Sequence, residues 1–337
     1  MSLVVFRADG GPAIGAGHVM RCLALATAFE DAGWSVGFAV SADTLQSVKA
    51  LGLSRYETLL LPEVADAEAA AMARNWPQGA DVLVVDHYGR GVVFERACRP
   101  WAQRIVAFDD IPERVHDVDV LTDAVSSAAD YREFVPAKCR ILAGADYAIV
   151  HPAFRRARDR ALTRRTVAPV GRVLISLGQV DSPNLTARAL AALEAAKFVG
   201  AVDVVLGSSA PHLEAVRAAS RGNVSLRVDA QADEMAELMT NADLAIGAGG
   251  ATAWERCCLG LPTVLVKLAE NQREMVAMLA RAGVGIDAGG LENGLEDRLS
   301  RALLEMFGDG ERRAAFARAA AALTDGRGAE WVVTAVS

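Results

Sequence analysis

Apolar and polar positions alternate along the chain in blocks the size of whole secondary-structure elements. Short runs rich in apolar and β-branched residues recur through the first half, and alanine- and leucine-rich segments such as 19–32 and 65–74 lie between them. Continuous apolar strands separated by helices are typical of a parallel sheet covered on both faces. The strands predicted for this half span residues 3–6, 36–40, 58–61, 82–85, 105–108 and 118–121.

An arginine-rich stretch, residues 155–172, interrupts the alternation, which then restarts. The strands predicted after it span residues 173–176, 202–206, 224–228, 244–247, 263–268 and 284–286. We therefore expect an α/β protein of two Rossmann-like, doubly wound domains that face each other across a cleft. The predicted boundaries are 1–152, a linker 153–171, and 172–337, with a last helix over 312–336 as a candidate to pack back on the first domain.

The composition excludes several classes of protein. Of the 337 residues 52% are hydrophobic, and no apolar run reaches the ~20 residues of a membrane-spanning helix. The N-terminus lacks the pattern of a secretory signal, so we expect a cytoplasmic protein without a membrane partner. The net charge of −7 argues against a nucleic-acid partner, and we interpret the basic run as a solvated linker or helix face. The five cysteines form no CxxC pair and no ligand spacing with the histidines, so we expect buried thiols and no metal site.

A glycine-rich stretch, GGPAIGAGHVMRC, follows the first predicted strand and covers residues 10–22. A strand, a flexible turn and a helix start form a pocket for an anionic ligand, because the first helical amides are unpaired. Gly17 and His18 lie at the mouth of that helix, where a histidine is a candidate base. The alternative is a tight turn in which His18 caps or packs against the helix, and this stretch alone does not decide between them.

A second glycine cluster lies in IGAGGATAWERCCLGLP, residues 246–262. The amides of Gly249, Gly250 and Ala251, with the hydroxyl of Thr252, suit a diphosphate, and Glu255 suits two ribose hydroxyls. The alternative is that Thr252 and Glu255 form a capping pair without any ligand. The cluster is neither a GxGxxG nor a GxxxxGK[ST] motif, which disfavours a nicotinamide cofactor and nucleoside triphosphate hydrolysis.

Two further loops follow predicted strands of the second half. In SLGQVDSPN, residues 176–184, Gly178 allows a close backbone approach and is followed by Gln179. In LAENQ, residues 268–272, Asn271 and Gln272 supply the neutral amide groups that sugar hydroxyl and acetamido groups need.

Taken together, RADGGPAIGAGHVMRCLALA, VVDHY, ISLG, ADLAIGAGGATAWERCCLGLP and LAENQ resemble one family in the same order from residue 7 to 272. They resemble the UDP-2,4-diacetamido-2,4,6-trideoxy-β-L-altropyranose hydrolases of pseudaminic acid biosynthesis, relatives of the MurG-type glycosyltransferases with a GT-B fold. The resemblance implies that water releases UDP from a UDP-sugar. It places His18 as the general base, with Gly17 in its loop, and Tyr88 and Asn271 facing the sugar. It further implies that residues 249–252 bind the diphosphate, that Glu255 binds ribose and that the region of Met235 meets uracil with its backbone.

This chain departs from the family pattern at three places. Gln179 stands where relatives often have glycine, and it brings a side chain near the phosphate or sugar. Ala251 stands where relatives often have serine, and residues 124–127 read Ala-Val-Ser-Ser in place of a DQN-like sequence. These changes concern the identity of the sugar more than the class of reaction.

The residues are consistent with an inverting hydrolysis. UDP is a good leaving group whose charge needs stabilisation, and the water needs one base, unlike the two carboxylates of an ordinary glycosidase. No cofactor and no metal are required, and magnesium on the diphosphate stays an open alternative. His87 is the competing histidine, and Asp9 and Asp86 are candidates either to orient His18 or the sugar, or to cap helices.

Two other functions remain as alternatives. One is a UDP-sugar-dependent GT-B glycosyltransferase, and the other is a sugar-nucleotide sensor without turnover. The expected partners are a UDP-sugar and water, and the oligomeric state is open, a monomer included.

Overall fold

The computed structural model describes residues 2–11 and 14–337, and the side chain of Asn271 lies outside the described part. The chain divides into two compact units, Met1–Pro152 together with Arg327–Ser337, and Ala153–Gly326. Among the described residues no helix has both the length and the apolar character needed to cross a membrane.

The first unit is built on a sheet of seven parallel strands in the order β3-β2-β1-β4-β5-β6-β7. The strands are β1 Leu3–Ala8, β2 Ser35–Val40, β3 Glu57–Leu60, β4 Ala80–Asp86, β5 Ala102–Phe108, β6 Val120–Asp123 and β7 Arg140–Ala143. The helices that cover it are α1 Gly17–Asp31, α2 Ala42–Ser47, α3 Lys49–Gly52, α4 Glu68–Asn75, α5 Val92–Cys98 and α6 Ala128–Tyr131. Every one of the six strands predicted for this half is present with its bounds within three residues, and β7 is an addition. This strand has four residues and pairs with β6 alone.

The second unit begins with helix α7, Pro152–Thr163, and carries six parallel strands in the order β10-β9-β8-β11-β12-β13. The strands are β8 Arg172–Ser176, β9 Ala201–Leu206, β10 Val224–Val228, β11 Leu244–Ala248, β12 Thr263–Val266 and β13 Gly285–Asp287. The other helices are α8 Leu185–Ala195, α9 Leu213–Ala219, α10 Ala232–Asn241, α11 Thr252–Cys258, α12 Arg273–Arg281, α13 Leu295–Gly308 and α14 Gly310–Leu323. The six predicted strands of this half are all present.

The arginine-rich segment is not a solvated linker. Helix α7 buries Phe154 and Ala157, and arginines of the helix and of the segment directly after it bind backbone carbonyls of the second unit. Arg158 donates to the carbonyls of Ala321 and Thr324, and Arg165 donates to the carbonyls of Met239, Ala242 and Leu259. The linker part of the interpretation was wrong, because the last carbonyls of helices α10, α11 and α14 lack intrahelical partners and arginine side chains satisfy them. The helix-face part holds for Arg156 and Arg160, which are exposed on α7.

The C-terminal segment is two helices, not the single one predicted over 312–336. Helix α14 ends at Leu323, Gly326 has a φ of 81°, and α15, Gly328–Val336, follows. Helix α15 belongs to the first unit, where Val332 and Val336 join the core cluster that contains Leu25 and Phe29 of α1.

The order of the strands defines one topological switch point in each sheet. In the first unit the chain runs outward in opposite directions from the neighbouring strands β1 and β4, and in the second from β8 and β11. Ligands of open parallel sheets bind beyond the carboxyl ends of the strands at such a switch point. The two glycine clusters of the sequence follow β1 and β11, so each lies at a switch point.

A buried cluster of three charged side chains, Glu95, Asp109 and His116, stabilises the first unit. His116 bonds with Nδ1 to Glu95 at 2.6 Å and with Nε2 to Asp109 at 2.7 Å, and all three side chains are buried. Carboxylates only accept, so both ring nitrogens carry protons. Burial alone lowers the pKa of His116, but the hydrogen bonds to Asp109 and Glu95 outweigh it and raise the pKa to about 9.

This cluster predicts an alkaline loss of stability. The folded pKa of His116 lies above its unfolded value of about 6.5, so its contribution is complete below pH 6.5 and disappears as the pH rises through 9. We expect the free energy of unfolding of the first unit to fall by roughly 3 kcal/mol across this range. Urea unfolding followed by circular dichroism at pH 6, 7.5 and 9.5 measures it. His116→Gln should remove most of this slope, and an unchanged slope in the variant would contradict the assignment.

Candidate active site

The glycine loop of the first unit leads from β1 into α1 and brings His18 to the carboxyl edge of the sheet. Gly11 and Gly15 exchange two backbone hydrogen bonds of 3.0 and 2.8 Å, and Gly15 has a φ of 75°. A Cβ on Gly10 would stand 2.8 Å from Cγ2 of Val48, so the loop closes only with glycine there. Pro12 and Ala13, inside the predicted turn, lie outside the described residues. Gly17 and His18 are the first two residues of α1.

His18 is held by a buried carboxylate from the neighbouring strand. Its Nδ1 lies 2.6 Å from Oδ1 of Asp86, the last residue of β4. Arg21, one turn further along α1, donates from Nε and Nη2 to both oxygens of Asp86 at 2.5 and 2.6 Å. Since an ionised carboxylate only accepts, the Nδ1 of His18 carries a proton, and in the neutral form of the ring Nε2 then presents a lone pair. Among the described residues Nε2 has no hydrogen-bond partner.

The Asp86 carboxylate stays ionised although it is buried. Burial raises the pKa of Asp86, but the Arg21 guanidinium and the hydrogen bond from His18 hold it well below its usual range. Arg21 in turn lies over the ring of Phe108, with 4.7 Å between its Cζ and the ring centroid. His18, Asp86 and Arg21 therefore form a hydrogen-bonded cluster in which a charged partner fixes the tautomer of the histidine, as the aspartate does in a Ser-His-Asp triad.

Tyr88 lies beside the base. Its ring meets that of His18 edge to face with 5.0 Å between centroids, and its hydroxyl donates to Asp110 at 2.9 Å. Burial and the Asp110 carboxylate raise the pKa of Tyr88 above its usual value, so the phenol stays protonated. The ring is 39% exposed and therefore open to a ligand.

Asp9 and His87 have structural partners. Asp9 accepts from the backbone N–H of Ser41, the residue that caps α2, and from the hydroxyl of Thr44. Nδ1 of His87 accepts from the N–H of Gly89 at 2.8 Å, and its Nε2 lies 3.2 Å from Asp9. Neither residue contacts His18. Of the two strand-end aspartates considered from the sequence, Asp86 orients the histidine and Asp9 caps a helix.

The loop after β11 forms the corresponding feature of the second unit. A Cβ on Gly249 would stand 2.4 Å from Cγ2 of Val276, so only glycine fits, and Gly250 lies beside the amide of Gln272. Ala251 is exposed and occupies the N-cap position of α11 without a side-chain cap. Thr252 is inside the helix and its hydroxyl accepts from Arg256 at 3.2 Å. The capping pair of Thr252 with Glu255 does not form.

Glu255 is half-buried, and no described residue donates a hydrogen bond or forms an ion pair to its carboxyl group. Burial raises the pKa of Glu255 to about 7, and the nearby charge of Arg256 offsets this only in part. A carboxyl group left unpaired beside the glycine loop fits a ligand that donates hydroxyls.

The remaining predicted residues of the second unit lie in different settings. Gly178 has a φ of 97°, and the exposed Gln179 is fixed through its carbonyl, which accepts from Gly207 N–H at 2.7 Å. Oε1 of Gln272 accepts from Leu268 N–H, which leaves its Nε2 as a donor near Gly250. The backbone of Asn271 lies in the short 3₁₀ segment Glu270–Gln272, and its side chain is outside the described part.

Met235 is placed differently from the expectation. It lies inside α10, its side chain is 8% exposed, and its backbone N–H donates to the carbonyl of Gln231 at 2.8 Å. Its amide is therefore not free for uracil. The unpaired amides at this end of α10 belong to residues 232–234, because the first N–H groups of a helix have no intrahelical acceptor.

Three site residues escaped the sequence interpretation: Arg21, Asp110 and Arg256. Arg21 follows His18 by three positions and Arg256 follows Thr252 by four, and residues at these spacings share a helix face. Arg21 and Arg256 each lie in a largely apolar helical segment, and an arginine in such a segment can be recognised from the sequence as a candidate site residue. Asp110 gives no comparable signal, since it lies in an ordinary polar turn after β5.

Comparison with solved structures gives the class of fold. The chain is similar to the crystal structure of MurG from Acinetobacter baumannii, with a TM-score of 0.68, 17% identity, and coverage of 100% of this chain and 99% of that one. This similarity and the two parallel sheets confirm the predicted GT-B fold class.

Sequence comparison gives the nearer relatives. Residues 187–330 match the glycosyltransferase family 28 C-terminal domain. The spore coat polysaccharide biosynthesis protein SpsG of Bacillus subtilis is 28% identical over 287 residues, 84% of this chain and 82% of SpsG. The UDP-2,4-diacetamido-2,4,6-trideoxy-β-L-altropyranose hydrolase of Campylobacter jejuni is 24% identical over 288 residues, 84% of this chain and 98% of the hydrolase. The resemblance indicated by the motifs is thus confirmed by a relative of that name.

Proposed function

We propose that this protein hydrolyses a UDP-linked 2,4-diacetamido-2,4,6-trideoxyhexose at its anomeric carbon, releasing UDP and the free sugar with inversion. The L-altropyranose of pseudaminic acid biosynthesis is the proposed sugar, from the name of the Campylobacter relative. The observation that carries the proposal is His18, whose Nδ1 is bound to the ionised Asp86 and whose Nε2 is unpaired. That is the arrangement a general base for water requires.

The proposed mechanism assigns each group one task. Nε2 of His18 takes a proton from water as the oxygen attacks the anomeric carbon, and Asp86 stabilises the imidazolium that forms. The bond from that carbon to the UDP oxygen breaks, and the leaving diphosphate is stabilised by the loop 249–252. Glu255 binds the ribose. The proposed ligand contacts elsewhere are Gly17, Tyr88, Gly178, Gln179, Asn271 and Gln272.

Incubation of the protein with the UDP-sugar in the absence of any acceptor tests the proposal. We expect catalytic release of UDP, one per sugar, measured by anion-exchange chromatography. Proton NMR of the first product should show the opposite anomeric configuration before mutarotation. A protein that binds the UDP-sugar and releases no UDP would overturn the hydrolase assignment and leave the glycosyltransferase and the sensor.

A glycosyltransferase is the second candidate, favoured by the match to the family 28 C-terminal domain and by the similarity to MurG. In that case His18 would deprotonate an acceptor hydroxyl in place of water. UDP release only after addition of a sugar acceptor, with a glycosylated product, would support the transferase.

The carboxyl group of Glu255 predicts a pH-dependent affinity for uridine, a ligand without phosphate. With a pKa of about 7, this group is mostly protonated at pH 6, and the ionised form is the stronger acceptor for ribose hydroxyls. We therefore expect the affinity for uridine to rise about tenfold between pH 6 and 8, and Glu255→Gln to abolish this dependence. Isothermal titration calorimetry measures both.

A matched control for Glu255 is Glu237→Gln, which removes an exposed glutamate of α10 that pairs with Arg160. This variant should keep the wild-type affinity and its pH dependence. A wild-type affinity that is flat from pH 6 to 8, or a pH dependence that persists in Glu255→Gln, would exclude the ribose role.

A further inference from the structure

Arg256 lies directly beneath the glycine loop of the second unit. The residue is 1% exposed, and its Cζ would be 2.5 Å from a Cβ on Gly247, so that the glycine in β11 makes room for the guanidinium. Nη2 donates to the carbonyl of Ala248 at 2.5 Å, and Nη1 donates to the hydroxyl of Thr252 at 3.2 Å. Both ends of the loop are thus bound to one side chain.

The charge of Arg256 is poorly compensated. No described carboxylate forms an ion pair with it, and its buried Nε has no hydrogen-bond partner. Burial lowers the pKa of Arg256 to about 10, so the group is still charged at neutral pH. A buried charge without a partner is costly to the fold. Arg7, which is also enclosed, binds the carboxylate of Glu68 instead.

Another arginine of the same unit shows the difference. Arg165 also lacks a carboxylate in hydrogen-bond contact, and burial lowers its pKa to about 10 as well. It donates, however, to the carbonyls of Leu259, Ala242 and Met239 from all three nitrogens. Arg165 is therefore satisfied as a helix cap, whereas Arg256 retains an unpaired donor and excess positive charge.

The bond from Arg256 fixes the role of the Thr252 hydroxyl. Arginine only donates, so Oγ1 of Thr252 must accept from it, and the hydroxyl proton remains to be donated to another group. A donor and a buried positive charge at the same loop both favour an anion. Helix α11 has seven residues, so its dipole is a weak source of this charge.

We propose that Arg256 is a positioning residue for the diphosphate of a nucleoside diphosphate ligand: it holds the Thr252 hydroxyl as a donor toward the phosphate and supplies the positive charge beneath the loop. This inference rests on the proposed function, because it assumes that the loop binds the leaving UDP. The positive charge of Arg256 then also stabilises the diphosphate as the glycosyl bond breaks.

Calorimetric titration with UDP and with uridine separates the phosphate contribution from that of the nucleoside. For Arg256→Met, titrated at an alkaline pH at which Glu255 is ionised in both proteins, we expect the affinity for UDP to fall about tenfold to hundredfold, and the affinity for uridine to stay within twofold. Thr252→Val should lower the affinity for UDP about tenfold in the wild-type background. It should have little further effect on this affinity in Arg256→Met, since Thr252 and Arg256 act through one contact. Arg165→Met, the matched control, should lower the melting temperature and leave the ratio of the UDP and uridine affinities unchanged.

The outcomes separate this inference from the proposed function. If the wild type binds UDP no more tightly than uridine, the diphosphate site of the proposed function fails. If the wild type prefers UDP and Arg256→Met keeps that preference, the role of Arg256 is overturned while the proposed function stands. If Arg256→Met does not fold, Arg256→Lys and Thr252→Val test the role of Arg256. A folded Thr252→Val variant that retains the full preference for UDP over uridine overturns the inference.

Discussion

Replacement of His18 by glutamine is expected to lower kcat for UDP release by about 10²- to 10⁴-fold, the usual contribution of one general base. Glutamine retains a polar group of similar length but has no basic nitrogen. The proposed UDP contacts lie in the second unit, so the dissociation constant for UDP should stay within about twofold of wild type. Steady-state kinetics with the UDP-sugar and calorimetric titration with UDP measure the two quantities.

His87→Gln is the matched control for this experiment. His87 follows Asp86 directly, but it bonds to Gly89 and Asp9, not to His18. The control should lose less than about threefold in kcat, since no role in proton transfer is assigned to it. If His18→Gln folds normally and turns over at nearly the wild-type rate, the mechanism proposed for this site is wrong. A large loss confined to His87→Gln would transfer the role of base to that residue.

The fold could be predicted from the sequence because most of its strands contain continuous apolar runs. All twelve predicted strands are found, since runs such as 82–85 are buried on both faces of a parallel sheet. Strand β7 was missed because Ile141 and Leu142 are its only large apolar residues, whereas the equally short edge strand β3 lies in a run of four apolar or β-branched residues, 58–61. The linker interpretation of 153–171 failed for a different reason. The arginines there bind carbonyl groups at the ends of distant helices, and the sequence does not show those contacts.

The candidate site was only partly visible in the sequence. Glycine clusters and His18 are local features, and their position after a strand predicts a switch-point loop. The choice between Asp9 and Asp86 was not local, since both follow buried strands. The choice depends on which carboxylate reaches α1. The pairing of β1 with β4 places Asp86 next to α1, and Asp9 instead accepts from the backbone N–H of Ser41. The sequence shows the spacing of Arg21 from His18 and of Arg256 from Thr252. It does not show the hydrogen-bond partners of these two arginines.

Replacement of Asp86 by asparagine is expected to reduce kcat by about 10²- to 10⁴-fold although His18 is still present. An asparagine that accepts from Arg21 turns its NH₂ group toward Nδ1 of His18. Nδ1 then accepts, the proton moves to Nε2, and the lone pair that should take the proton from water is lost. The ion pair with Arg21 is lost as well, which should cost roughly 1–3 kcal/mol of stability because Arg21 keeps partial access to solvent.

Asp9→Asn distinguishes this loss of tautomer control from general damage at the carboxyl edge of the sheet. Asp9 is also a strand-end aspartate whose pKa is held low, because Arg7, His87 and Ser41 outweigh the effect of burial, but it does not contact His18. Asp9→Asn should lower the melting temperature, since it weakens the cap of α2, and keep kcat within about threefold. Equal loss of kcat in both variants would mean that the rate follows stability. Loss in Asp86→Asn alone, at a temperature where both are folded, is expected if the carboxylate works through the histidine.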